Sequence, residues 1–154
     1  MKNLKYLILT LTIFLTDIHF KNLAEKTLAK HEKKPAGKFI TLSKHHNRGL
    51  PMNIAENHQE KIAFASFIAT GILELFYYYV LIKKDKPLLK TGLSLMLGGA
   101  YSNTFDRLTR KYVVDYFSFN YPEKLRKIVF NIGDIAIFFG TFLAIINALR
   151  SNSD

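Results

Sequence analysis

The sequence contains no cysteine. A disulfide framework, a thiolate metal site and a cysteine nucleophile are therefore all excluded. Acidic side chains are scarce as well, since 12 Asp plus Glu stand against 22 Lys plus Arg in 154 residues, a formal net charge of +10. Charge of either sign is missing from long stretches of the chain. Mean hydropathy is only +0.05, but the 49% of residues that are hydrophobic collect into four runs, with the charges pushed between them. A bilayer imposes that segregation on a spanning chain, so one membrane domain over residues 1–154 is expected rather than an ordinary soluble domain.

The first run, Leu4 to Phe20, follows Lys2 and Lys5 and also looks like the front of a secretory signal. The residues around its end, Asp17, His19 and Lys21, offer no small-x-small cleavage site, and a lipoprotein signal would need the missing cysteine. It is expected to be a first membrane helix. Ile62 to Ile82 is apolar except for Glu74, and at about 1.5 Å per residue it is long enough for a hydrocarbon core of about 30 Å. Leu88 to Phe105 and Ile128 to Leu149 complete four expected spans, a membrane all-α bundle. Gly92, Gly98 and Gly99 read as positions of close helix packing, Tyr77 to Tyr79 as an interfacial aromatic belt, and Glu74 as a carboxylate bonded to a tyrosine inside the bundle.

Orientation rests on conflicting signals. The tight basic loop Lys83 to Lys86, with Lys2, Lys5 and Arg150, places both termini in the cytoplasm by the positive-inside rule. A plain tally favours the reverse, because residues 21–61 and 106–127 are also rich in Lys and Arg. The rule is weak for long folded connections, and a basic outer surface is compatible with anionic headgroups, so the short loop decides. Segments 21–61 and 106–127 are thus expected outside the cytoplasm. Within them, residues 38–42 and 112–119 are β-branched and aromatic, as expected of strands in a small sheet, and Asn22 to Lys34 reads as an amphipathic interfacial helix.

Ionisable groups in or beside membrane spans are costly, so Asp17, Glu74, Asp106, Arg107, Asp115 and Asp134 each need a partner or a purpose. Asn103 and Arg107 are four residues apart and share a helix face, and Asn131 and Asp134, three apart, share another. In the fourth span, Asp134 is expected one to two turns below the membrane surface. Two carboxylates brought together at a water-accessible membrane edge cannot both ionise cheaply and share a proton. Such a pair activates water and polarises a carbonyl with no metal or covalent intermediate.

The stretches Gly98-Gly99-Ala100-Tyr101-Ser102-Asn103-Thr104-Phe105-Asp106-Arg107, Val113-Val114-Asp115-Tyr116 and Phe130-Asn131-Ile132-Gly133-Asp134 resemble the GGxxxNxxDR, VVDF and FNxAD motifs of lipoprotein signal peptidases (signal peptidase II), in matching order and spacing. Asp17 with Lys21 resembles the family's DxxxK, and Asn47-Arg48-Gly49 the start of its NxGAAF loop. The resemblance implies an aspartic endopeptidase of the bacterial inner membrane that needs no cofactor. Its substrates would be diacylglyceryl-modified prolipoproteins, cut before the lipidated cysteine, its surroundings membrane lipid, and its inhibitors of the globomycin type; no nucleic-acid partner is expected. On the matching positions Asp115 and Asp134 would be the catalytic pair. Asn103, Arg107 and Asn131 would orient the substrate or the carboxylates, Asp106 would support Arg107, and Asp17, Lys21, Asn47 and Gly49 would shape the binding face.

Four departures from the family's pattern stand out. Lys111 replaces a glycine shortly before VVDF, Ser102 replaces the usual glycine before Asn103, Gly133 replaces an alanine, and Leu50-Pro51-Met52 replaces the AAF part of the loop. They bear on loop geometry and substrate preference more than on the chemistry. Two other functions stay open: a lipid phosphotransferase in which Asp106, Asp115 and Asp134 hold Mg²⁺, and a noncatalytic paralogue. His45 and His46 are adjacent on a loop with no third ligand at suitable spacing, so they are expected to be solvated.

Overall fold

A computed structural model describes residues 3–29, 32–49 and 56–151. In chain order the elements are α1 (Leu4–Thr27), β1 (Lys33–Ala36), β2 (Ile40–Asn47), a 3-10 turn (Glu56–His58) leading into α2 (Gln59–Leu81), α3 (Pro87–Thr109), β3 (Val113–Phe119), a 3-10 helix (Glu123–Lys127) and α4 (Ile132–Ser151). The altered loop segment Leu50 to Met52 lies outside the described residues.

Three of the helices, over Leu4–Thr27, Glu56–Ile82 and Ile132–Arg150, are long and apolar enough to cross a membrane. Their outward faces are greasy, with Leu15, Phe64, Leu75 and Phe138 all largely exposed. That is the inverse of a soluble bundle and suits contact with lipid. The remaining helix, α3, is more polar because it is central, packing against α1, α2 and α4. Its Lys90, Ser94, Ser102, Asn103, Thr104 and Asp106 are buried against protein, where hydrogen bonds can be supplied. Lys90, for instance, donates through Nζ to the Leu81 carbonyl at the end of α2 at 2.9 Å and to Asn3 Oδ1 at 3.3 Å.

Close approach of α3 to its neighbours is set by its glycines. A Cβ at Gly92 would lie 2.7 Å from the Gly140 carbonyl of α4, and one at Gly98 would lie 2.7 Å from the Thr10 carbonyl of α1. No side chain fits there, and the packing expected from the glycine pattern is what the helices use. Glu74 also behaves as expected, hydrogen-bonded to the Tyr101 side chain.

The three strands form one antiparallel sheet in the order β1-β2-β3. The register pairs His45 with Asp115 and Asn47 with Val113, with an irregularity between Leu42 and His45. Ala24 and Leu28, at the end of α1, pack under Val114 and Tyr116 of β3, so the sheet is fastened to the helix ends that also carry the site.

Several expectations need correction. There is no separate interfacial helix at 22–34 among the described residues. Asn22 to Thr27 prolong α1, where Ala24 is buried beneath the sheet, and Lys33 and Lys34 belong to β1. The first expected strand starts later, at Ile40, because Gly37 turns the chain with φ +80° and Lys38 and Phe39 complete the turn. The fourth helix starts at Ile132 rather than Ile128, since Phe130 is extended and bridges Phe117 of β3. Tyr77 is not part of an exposed belt. It is buried in the bundle and accepts at its hydroxyl from Ser94 Oγ, while Tyr78 and Tyr79 are exposed. His46 is not solvated either: its Nε2 lies 2.7 Å from Glu25 Oε1 and its ring stacks on Tyr112.

Candidate active site

Asp134 owes its position to the start of α4. Asn131 precedes the helix and caps it, accepting at Oδ1 from the Asp134 backbone N–H at 2.8 Å, while Asp134 Oδ2 accepts from the Asn131 N–H at 3.1 Å. This reciprocal pair is a capping box, for which a side-chain acceptor and a carboxylate three residues later are the required types. The three-residue spacing therefore reflects a helix start, not two residues on one helical face, and Asp134 lies in the first turn of α4.

Asp115 comes from the middle of β3 and is almost wholly buried. Asn131 reaches it, donating through Nδ2 to Asp115 Oδ1 at 2.8 Å, so this one residue touches both carboxylates, Asp115 through its side chain and Asp134 through its backbone N–H. Asn47 on the neighbouring strand donates to Asp115 Oδ2 at 3.4 Å. From α3, Asn103 Nδ2 donates to Asp134 Oδ1 at 2.9 Å.

Both amides have only one workable orientation. Lys21 Nζ donates to Asn103 Oδ1 at 2.8 Å, and since an ammonium is a donor only, Asn103 must turn its NH₂ toward Asp134. Asn131 is fixed likewise by the Asp134 N–H at its Oδ1. Beneath the amides lies a buried ionic layer. Lys21 pairs with Asp17 at 2.9 Å and with Asp106 at 3.3 Å, all three with no exposed side-chain surface. Arg110 Nε meets Asp106 Oδ1 at 3.0 Å, and Asp106 Oδ2 accepts from the Val114 N–H, fixing the strand beside Asp115.

The expected site residues thus divide. Asn47, Asn103, Arg107, Asp115 and Asp134 line a single cavity of about 680 Å³, with Asn131 just behind it. Asp17 and Lys21 do not form a binding face, because they are completely buried under it. Asp106 is partnered by Lys21 and Arg110 rather than by Arg107, which donates instead to the carbonyls of Gly49 at 3.3 Å and Asn103 at 3.5 Å. Gly49 in turn donates to Asn47 Oδ1 at 3.1 Å. A Mg²⁺ cage of Asp106, Asp115 and Asp134 also fails, since Asp106 is turned into the ionic layer.

Besides Arg110, two participants were missed. Tyr116 donates to Asp17 Oδ1 at 3.0 Å and accepts from the Ile132 N–H, joining β3 to the start of α4. Strand alternation, which puts Tyr116 on the face opposite Asp115, was the available signal. Ser102 donates to Asp17 Oδ2 at 2.6 Å and accepts from Lys21.

Asp115 is held well above the usual carboxylate range, at about 8. Burial is the main cause and the nearby Asp134 the next, opposed by the Asn131 donor, the Lys21 charge and the Asn47 donor. Neither Asp115 nor Asp134 has an ion-pair partner among the described residues. Two acids in this setting retain a proton between them near neutrality. From them the cavity continues along α4 past Ile137, Phe138 and Phe142 to Ile145, opposite Ser66 and Ala69 of α2. At 1.5 Å per residue that is about 16 Å of mostly apolar groove.

The site is thus a polar pocket with two mutually interacting acids, opening onto an apolar groove at the end of the helix bundle. The family model described as signal peptidase (SPase) II matches residues 9–150. The chain belongs to the signal peptidase II family. A lipoprotein signal peptidase of Clostridium tetani is 33% identical over 114 residues, covering 74% of this chain and 72% of the relative. One from Histophilus somni is 32% identical over 152 residues, 97% of this chain and 91% of the relative. A bacterial membrane enzyme solved by the in meso method at 2.3 Å resolution superposes with a TM-score of 0.83 and 24% identity over 97% of this chain and 90% of that one, a likeness of fold. The chain is accordingly a bacterial membrane protease.

Proposed function

We propose that the chain is an aspartic endopeptidase that removes the signal peptide from diacylglyceryl-modified prolipoproteins, with Asp115 and Asp134 as the catalytic pair. The observation that carries this reading is the placement of both acids, bridged by the side chain and backbone N–H of Asn131, at the polar head of an apolar groove. The ionised member takes a proton from water as the oxygen attacks the scissile carbonyl carbon. The protonated member donates to the carbonyl oxygen, and collapse of the tetrahedral species returns a proton to the leaving amine. Asn103 and Asn131 hold the carboxylates, and Arg107 with Asn47 and Gly49 lines the approach of the peptide backbone. The groove along α4 suits an acyl chain or an apolar signal segment.

In this reading all four helices span the inner membrane, α3 included, because its polar groups are sealed inside the bundle. Both termini are cytoplasmic, and the sheet and the acid pair lie at the outer surface. The test is cleavage of a lipid-modified prolipoprotein peptide in detergent, with and without EDTA, by the wild type, Asp115→Asn and Asp134→Asn. Cleavage should be insensitive to chelator, inhibited by globomycin and lost in both variants. Retained cleavage in either variant removes that residue from the pair, and loss with EDTA would turn the reading toward a metal mechanism.

A further inference from the structure

Far from the acid pair, the tips of two turns are tied together. Asn120 donates through its backbone N–H to the Phe39 carbonyl at 2.8 Å and through Nδ2 to the Lys38 carbonyl at 2.9 Å, and Thr41 Oγ1 donates to Asn120 Oδ1 at 2.8 Å. The β1–β2 hairpin tip and the turn after β3 therefore form one rigid unit, four residues or about 13 Å beyond Asp115 along the strand. This unit displays two large exposed rings, Phe39 at 64% exposure, with the Lys38 ammonium 5.9 Å from its centroid, and Tyr121 at 68%.

Lys38 is exposed beside Phe39, and the 3-10 helix that follows Tyr121 carries exposed Lys124, Arg126 and Lys127, opposed within it by the single acid Glu123. Lys33, Lys34 and Pro35 are excluded from this count, because charge and proline on the edge strand β1 are explained by protection of an open edge. Nothing of that kind explains aromatic rings at a turn tip. Aromatic side chains ringed by basic ones are the chemistry of a membrane interface carrying anionic phosphate headgroups.

We propose that the joined tips form a membrane foot, in which Phe39 and Tyr121 enter the outer-leaflet interface and Lys38, Lys124, Arg126 and Lys127 engage anionic phospholipid headgroups. The inference rests on the reading that the helices span the bilayer with the sheet at its outer surface. It goes beyond that reading by making the seating of β3, and so of Asp115, dependent on lipid charge. Each neutralised basic residue should weaken the seating roughly fivefold.

The chain has no tryptophan, so Phe39→Trp introduces a unique fluorophore. The full-length variant is reconstituted in phosphatidylcholine vesicles with and without phosphatidylglycerol, and quenching by lipids brominated along the upper acyl chain is recorded. Blue-shifted, quenched emission is expected, stronger with phosphatidylglycerol. The lipid-charge dependence should vanish when Lys38, Lys124, Arg126 and Lys127 are all changed to Gln. A separate Phe142→Trp variant, in α4, reports on spanning and should be quenched in every membrane. If Phe142→Trp is quenched while Phe39→Trp stays water-like, the foot is refuted and the spanning reading survives. If Phe142→Trp escapes quenching, both fall. Protection of Phe39→Trp only on addition of an acidic peptide would overturn the lipid assignment in favour of a protein partner.

Discussion

The elevated Asp115 carboxyl makes a quantitative demand on the pH dependence of cleavage. The proposed chemistry needs one proton on the acid pair, and Asp115 loses its proton at about 8. If that proton is required, the active fraction is about nine-tenths at pH 7, one-half at pH 8 and about one-tenth at pH 9, so kcat/KM should fall about fivefold from pH 8 to 9 and approach tenfold per unit beyond. Asn47→Ala removes a donor that favours the ionised form, and should move this alkaline limb upward. The move should be under about one unit, because a neutral donor at 3.4 Å is a weak bond. Stability carries the same signature with a definite sign. A carboxyl raised in the folded state stabilises most when protonated, and the benefit is lost as pH rises from the ordinary 3.8 through about 8. Thermal unfolding in detergent should thus weaken across that window, by at most about 1.4 kcal/mol per unit, and Asp115→Asn should flatten the slope. The assay is peptide cleavage across the neutral to alkaline range with parallel unfolding curves. A rate that is level or rising from pH 7 to 9 would refute the shared-proton account, as would an unchanged limb in Asn47→Ala.

Lys111 has φ +69°, a left-handed backbone, at the position where the family's pattern has glycine. Lys111→Gly should therefore raise stability by about 1 kcal/mol without changing turnover, as read by thermal unfolding in detergent. Lys21→Met leaves Asp17 and Asp106 buried without their shared cation and should cost about 3–5 kcal/mol, visible as loss of folded protein after extraction. Ser102 and Gly133 flank the same Asp17 carboxylate: Ser102 donates to Oδ2, and a Cβ at Gly133 would lie 2.9 Å from that oxygen. Ser102→Gly and Gly133→Ala should each destabilise, yet the double variant should be less damaged than their sum by about 0.5–3 kcal/mol, because the space freed on one side admits the methyl on the other; strict additivity would show the two departures to be unrelated.

Helix existence was readable because long apolar runs admit few other structures, and the site residues were readable because polar groups in such runs are rare enough to stand out. What the runs could not show was depth or boundary. Residues 128–130 are as apolar as the helix that follows, but Phe130 answers to β3, not to α4, and only the Asn131 cap marks the true start. Tyr77 looks like its neighbours in sequence and differs only by facing Ser94 and Thr10. Lys33 and Lys34 look amphipathic in a helical window, whereas their strand pairing depends on Ser43 and Leu42, ten and eight residues away. Long-range pairing of this kind leaves no local period to read.

Charge balance explains why the buried cations do not disable the acid pair. Lys21 and Arg110 bring two positive charges beneath the site and Arg107 a third to its lining, and a direct ion pair with Asp115 or Asp134 would hold that acid permanently ionised; Arg107 gives its hydrogen bonds to the Gly49 and Asn103 carbonyls instead. Asp17 and Asp106 take up the two cations beneath, so the ionic layer is neutral as a unit and its ammonium reaches the site through Asn103 Oδ1. What passes upward is orientation with little net charge: the ammonium decides which way the amide points, and the amide offers its NH₂ to Asp134. A chain that kept Lys21 but lost either Asp17 or Asp106 would have a positive layer under the pair, and Asp115 would then titrate lower. The motif residues buried beneath the cavity are thus tied to those lining it by an electrostatic requirement, although they cannot touch a substrate.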